Sequence, residues 1–385
     1  MPQDIFDEIS NAFERGGTAQ AIQSLINILK QSGDFHRLFE ARTMQARHAL
    51  GLPLLSSVPS SELPSDIRTQ LEDQMIAACR EVGESLLESG DIAAGYQYLQ
   101  MIGELDPVRT ALETISPEEQ DVPSFVEIAL SRGVHPVRGI DLILKHYGLC
   151  QAISACESLL AQGTSIPTRD QAIRRLVRAV HEELVHRLQS EIEQREGSAP
   201  TSSDVETLLK GRDWLFEEDN YHIDTSHLNA IVRMARLLGP GPEIEHAVAL
   251  CTYGNQLSSK YRYPDPAPFE NVYSDSRRFF LILSGEDAED GLRFFKEQAE
   301  RLDPSEVGTY PSEVYLHLLR ETGRWQDAID YIEKRLSDLP SNLTSAINSL
   351  CEVSRNFDAM SRFARERHDP ISFLASLASR ESIAE

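Results

Sequence analysis

Residues 214–228, WLFEEDNYHIDTSHL, gather more side chains capable of chemistry than any other part of the chain. They include the acids Glu217, Glu218 and Asp219, the aromatics Trp214 and Tyr221, and the triplet His222, Asp224 and His227. Two imidazoles and a carboxylate are donors suited to a divalent metal such as Zn. An acid from the 217–219 run would then act as general base towards a metal-activated water. The spacing restricts this chemistry. Asp224 and His227, three apart, share a helix face. His222 joins them only if the chain is extended up to Asp224 and helical after it, and a further ligand would come from Asp275, Glu218 or His317. The same residues have a plainer reading, in which Asp224 or Thr225 caps a helix running to Leu238, His227 sits in its first turn and His222 lies in a loop.

A second irregular stretch follows one helix later. Residues 258–270, SSKYRYPDPAPFE, carry three prolines and three aromatics and cannot form a helix. Long irregular loops are uncommon in compact helical arrays and are often functional. Folded over Tyr221, this one would bring Tyr261, Tyr263, Tyr273 and Arg277 towards the 214–228 stretch and make a groove lined by aromatics, acids and histidines. The other reading is a plug at the end of the helical stack.

The elements that must position these stretches read as helices throughout. Apolar residues recur at three and four, as in Ile173, Val177, Val180, Leu184 and Leu188 of the long helix expected over 168–194. Its other face carries Arg169, Arg174, Arg175, Arg178 and Arg187, a solvated face that pairs with acids or a dock for an acidic partner. Gly16-Gly17, Gly148 and the GPGP run at 239–242 punctuate the pattern. Helices are expected over 204–216, 271–284, 287–302, 311–322, 325–338, 341–353 and 356–366, and again from Pro370. No sustained alternation or tight hairpin turn suggests a strand. The small, polar run GSAPTSS at 197–203 reads as a linker between an N-terminal helical-hairpin region, 1–196, and a C-terminal one, 204–385.

Residues 89–107, SGDIAAGYQYLQMIGELDP, and 322–340, TGRWQDAIDYIEKRLSDLP, share a layout. Each has a helix-ending Gly, a small residue five positions on (Gly95, Ala328) and a Pro seventeen after the Gly. Residues 284–304 match with a two-residue extension, and 16–30 and 148–160 match more loosely. The layout resembles the second half of a tetratricopeptide repeat. The first-helix pattern of that repeat is largely missing, since Ser312, Tyr315, Leu316 and Leu319 stand at its places before Gly323, and the spacing is irregular. The resemblance implies an all-α, irregular, tetratricopeptide-like right-handed helical-hairpin solenoid whose concave groove binds a protein or peptide.

Composition narrows the alternatives. The 385 residues are 41% hydrophobic and 25% charged, ordinary for a soluble protein, but the formal charge is −24. An acidic surface repels phosphate backbones, so nucleic acid is not an expected partner, whereas a basic peptide suits the charge. The five cysteines are scattered with no CxxC pair, as expected of reduced thiols in a cytoplasmic protein. No leader or membrane-spanning run is evident, and nucleotide-binding, hydrolase-elbow, metalloprotease and EF-hand motifs are missing. The sequence therefore suggests an interaction or scaffold protein without a cofactor, contacting a partner segment through Tyr221, His222, Asp224, His227, Tyr261, Tyr263, Tyr273 and Arg277. The alternative is a metal-dependent hydrolase using His222, Asp224 and His227.

Overall fold

The computed structural model describes residues 4–55, 62–114, 116–286, 288–302, 308–335 and 344–384. Among them the protein is all-α, with no strand. No helix is long and apolar enough to cross a membrane. Residues 56–61, together with residues 303–304 and 336–343 of the expected repeats and helices, lie outside the described residues.

The chain divides into two compact units, Met1–Ala152 with Ser158–Ala172, and Ile153–Glu157 with Ile173–Glu385. The first contains α1 (Asp4–Ser32), α2 (Phe35–Ala49), α3 (Ser65–Glu88), α4 (Ile92–Met101), α5 (Asp106–Thr114) and α6 (Val122–Val126). Consecutive helices from α1 to α5 lie against one another. Ile26, Leu38 and Val82 are the centre of one core cluster; Ile92, Leu99 and Leu112 are the centre of a second. Two expected breaks appear as kinks inside longer helices. In α1 the chain turns at Gly17 (φ 68°), and in α7 (Pro136–Ala161) it turns at Gly148 (φ 82°). Pro123 stands at the start of α6, where the missing N–H is no loss.

The repeat layout has a physical basis at Gly95. A methyl group there would come within 2.6 Å of Leu87 Cδ2 and 3.0 Å of the Gly83 carbonyl oxygen. Only glycine lets α3 and α4 approach so closely. Ala328, its counterpart, is fully buried.

The long helix α8 (Ile166–Glu196) carries the basic face, which is paired with acids. Arg169 meets Asp170, and Arg187 meets Glu183. Arg174 and Arg178 converge on Glu243 at 3.1 and 2.6 Å, holding its carboxyl below the usual range despite burial. Arg174 also donates to the carbonyls of Gly239 and Pro240, tying α8 to the GPGP stop.

The second unit continues through α9 (Val205–Leu209), α10 (Thr225–Ala235), α11 (Glu243–Gly254) and α12 (Val272–Ser284). Then come α13 (Ala288–Arg301), α14 (Tyr310–Glu321), α15 (Trp325–Arg335), α16 (Thr344–Val353), α17 (Phe357–Glu366) and α18 (Pro370–Ala384). Each of α10 to α17 packs on the next. The helix expected over 204–216 ends early, because Gly211 takes a left-handed φ of 72°; a 3-10 segment, Asp213–Asp219, follows. The run 197–203 lies within this unit, where Gln189 Nε2 donates to the Ser202 carbonyl at 2.8 Å.

Candidate functional site

The two irregular stretches of the second unit meet. The chain leaves the 3-10 segment through Glu218 and Asp219, both with left-handed φ of 56° and 61°. Side chains with a Cβ rarely adopt this conformation, so neighbours must hold it. Asp219 accepts from Lys260 Nζ at 2.6 Å, and that pairing keeps its carboxyl low. Asn220 Nδ2 donates to the Leu215 carbonyl and to Glu191 of α8. Tyr221, 46% exposed, sets its ring edge-on to Tyr261 with centroids 5.1 Å apart. Lys260 Nζ also lies 4.8 Å from the centre of the Tyr261 ring.

The 258–270 loop is anchored from beneath. Arg236, at the end of α10, is buried and ion-pairs with Asp265 at 2.6 Å. It also donates to Ser276 Oγ and lies 3.8 Å over the Phe269 ring. Further along, the Tyr263 hydroxyl reaches Thr225 Oγ1 at 3.3 Å, while Tyr263 stays 41% exposed. The loop thus covers the region of Tyr221 and Thr225 as a fixed shelf.

His222 does not face solvent. It is 5% exposed, with the Phe216 and Tyr253 rings edge-on to its imidazole. Its backbone N–H donates to the Tyr253 hydroxyl at 2.7 Å, and Nδ1 lies 3.1 Å from the same oxygen. The phenol oxygen accepts from that N–H, and it shares a second hydrogen bond with Nδ1 whose donor depends on the imidazole tautomer. Nε2 lies 3.0 Å from Glu191 Oε2 without hydrogen-bond alignment. Burial lowers the His222 pKa, against the opposing pull of Glu191. Burial likewise pushes the Tyr253 phenol up. The group is thus a neutral internal pin joining α8, the 213–224 segment and α11.

Asp224 serves as the cap of α10, accepting from the Ser226 hydroxyl and from the backbone N–H groups of Ser226 and His227 at 2.8 and 3.2 Å; the hydroxyl bond first, then the backbone bonds, hold its carboxyl low. His227 is half-buried in the first turn. The spacing of His222, Asp224 and His227 therefore does not assemble a ligand set. Among the described residues no three His, Cys, Asp or Glu side chains are placed to hold a metal ion. The further ligands weighed from sequence are engaged elsewhere. Asp275 accepts from the Asn271 N–H at the start of its own helix, and His317 stacks on Phe279. Glu218 is exposed at the turn.

Tyr273 is 1% exposed, its ring against Gly254. Arg277 donates to Thr252 Oγ1 at 3.1 Å and is half-buried. Of the eight residues singled out from sequence, Tyr221, Asp224 and Tyr263 are exposed, and His227 and Tyr261 are partly so. His222 and Tyr273 are core. The sequence reading missed Glu191, Arg236, Lys260 and Asp265. A lone acid between two prolines, Pro264-Asp265-Pro266, was the one local sign that the loop needed a cationic anchor.

The accessible part of this site offers aromatic faces and carboxylates, the chemistry that receives cationic side chains. No family model, curated protein or solved structure matches the chain.

Proposed function

We propose that this protein is an interaction module, an irregular tetratricopeptide-like helical-hairpin solenoid that binds an Arg- or Lys-bearing segment of a partner protein. The packing of consecutive helices from α1 to α5, and from α10 to α18, supports the solenoid part of this reading. So do the extra contacts of α10 with α12 and of α12 with α14. The observation that carries the binding part is the pair of exposed Tyr221 and partly exposed Tyr261, held between two loops by the Asp219–Lys260 and Arg236–Asp265 ion pairs. A pre-organised aromatic surface avoids ordering its own side chains on binding.

In this reading Tyr221, Tyr261 and Tyr263 give the faces, and Glu218 and Asp224 the charge. His222, Tyr273 and Arg277 hold the loops without touching the partner. Fluorescence anisotropy with labelled Arg/Lys-rich peptides, and Asp/Glu-rich peptides of equal length as controls, tests it. Binding should be confined to the basic set and weaken about tenfold or more in Tyr221→Ala, as for a central aromatic contact. Equal binding of both sets, or indifference to Tyr221→Ala, would count against this site.

A further inference from the structure

Helix α18 is turned inside out. Its inward side is small and polar. Ser376 Oγ lies 2.6 Å from Ser361 Oγ of α17, and Asn348 Nδ2 of α16 donates to Ser372 Oγ at 2.6 Å. Asp369 caps the first turn, accepting from the N–H groups of Ile371 and Ser372. Arg380 reaches back to Ser361 Oγ at 2.7 Å. These bonds fix the rotation of the helix and leave Ile371 80%, Leu374 67% and Leu377 44% exposed, each three residues after the last. Scattered exposed apolar side chains are normal, but a stripe of three on one helix marks a contact surface. No charge occurs from 370 to 379, in a chain whose formal charge is −24. Rolling the helix to bury the stripe would strand the buried hydroxyls of Ser372 and Ser376, so the stripe stays outward.

We propose that this stripe joins two copies of the chain, α18 against α18, antiparallel across a two-fold axis. The charges at its ends select a second copy. At one end the Arg365 guanidinium lies 4.6 Å over the Phe373 ring; at the other stands Glu381, exposed. An antiparallel crossing between Leu374 and Leu377 sets Glu381 of one copy beside the Arg365 end of the other, and symmetry makes the contact twice. The opposed helix dipoles favour the same arrangement. One helix stripe is a small interface, so the dimer is weak and forms in the micromolar range.

Sedimentation equilibrium of the full chain across the micromolar range tests this. The wild type should rise towards twice the chain mass with concentration. Leu374→Glu should weaken association by at least about tenfold while the circular dichroism melt is unchanged, since the side chain is already mostly in water. Glu381→Arg and Arg365→Glu should each weaken the dimer, and the two together should restore it to within about threefold, as a double-mutant cycle requires. A wild type that is monomeric throughout, or a dimer indifferent to Leu374→Glu, overturns the proposal. A dimer that the double exchange does not restore overturns its antiparallel register.

Discussion

The Tyr253 hydroxyl receives the backbone N–H of His222 at 2.7 Å and lies 3.1 Å from that residue's Nδ1, so one phenol closes both ends of a single buried histidine. Tyr253→Phe keeps the ring and removes the oxygen. It leaves a buried N–H and a buried imidazole nitrogen without their partner. The expected loss is about 1–3 kcal/mol in urea denaturation, the usual cost of stranding a buried polar group. A loss below about 0.5 kcal/mol would show that water or another group takes over both bonds.

The histidines set a pH dependence. His181 stacks on His246 with ring centroids 4.2 Å apart, and burial together with that second imidazole lowers its pKa to about 4. Burial lowers His222 in the same direction. In the unfolded chain both return to about 6.5, so the unfolded state binds more protons below that pH. Stability is therefore full above about pH 6.5 and falls as the pH drops from there towards the lowered values. Denaturant midpoints between about pH 7 and about pH 5 should fall in the wild type, with a shallower fall in His181→Phe, which keeps a stacked ring. A midpoint that rises on acidification would contradict the burial of both groups.

The loop anchor should be sensitive to loss of one charge. Asp265→Ala leaves the buried Arg236 guanidinium without its carboxylate, and breaking such a pair from one side costs about 3 kcal/mol or more. Limited proteolysis should then cut within 258–270 faster than in the wild type. Unchanged protection of that loop would mean that the stacking of Phe269 on Arg236 is sufficient.

Close approach of α11 and α12 depends on Gly254. A methyl group there would come within 2.5 Å of the Tyr273 ring. Gly254→Ala should destabilise by about 1–3 kcal/mol through overpacking, read as a lower thermal midpoint. Gly90→Ala is the wrong control, because Gly90 has a positive φ. A helix-interior alanine with no such contact, such as Glu297→Ala on the exposed face of α13, should leave the midpoint nearly unchanged.

Much of the helical scaffold is legible along the chain. The breaks at Gly16-Gly17 and Gly148, the start of α10 at Asp224 and the helix from Pro370 all follow from residues within a turn of where they act. Capping, glycine torsions and apolar periodicity operate over three or four residues, so the chain by itself determines them. It also signals that 258–270 is irregular, because three prolines forbid a helix whatever surrounds them.

What each polar side chain of the site does was decided only by tertiary structure. His222 reads as a free imidazole until Tyr253, thirty-one residues on, and Glu191 of α8 close around it. Arg236 and Asp265 are twenty-nine apart, and Asp219 and Lys260 forty-one. Leu374 is turned outward on α18 because Ser372 and Ser376 have hydroxyl partners on α16 and α17. Local sequence sets which helices form and where they end. Which side of a helix is buried, and which charge meets which, depends on the rotation and neighbours of helices far apart in the chain, and no local rule carries that information.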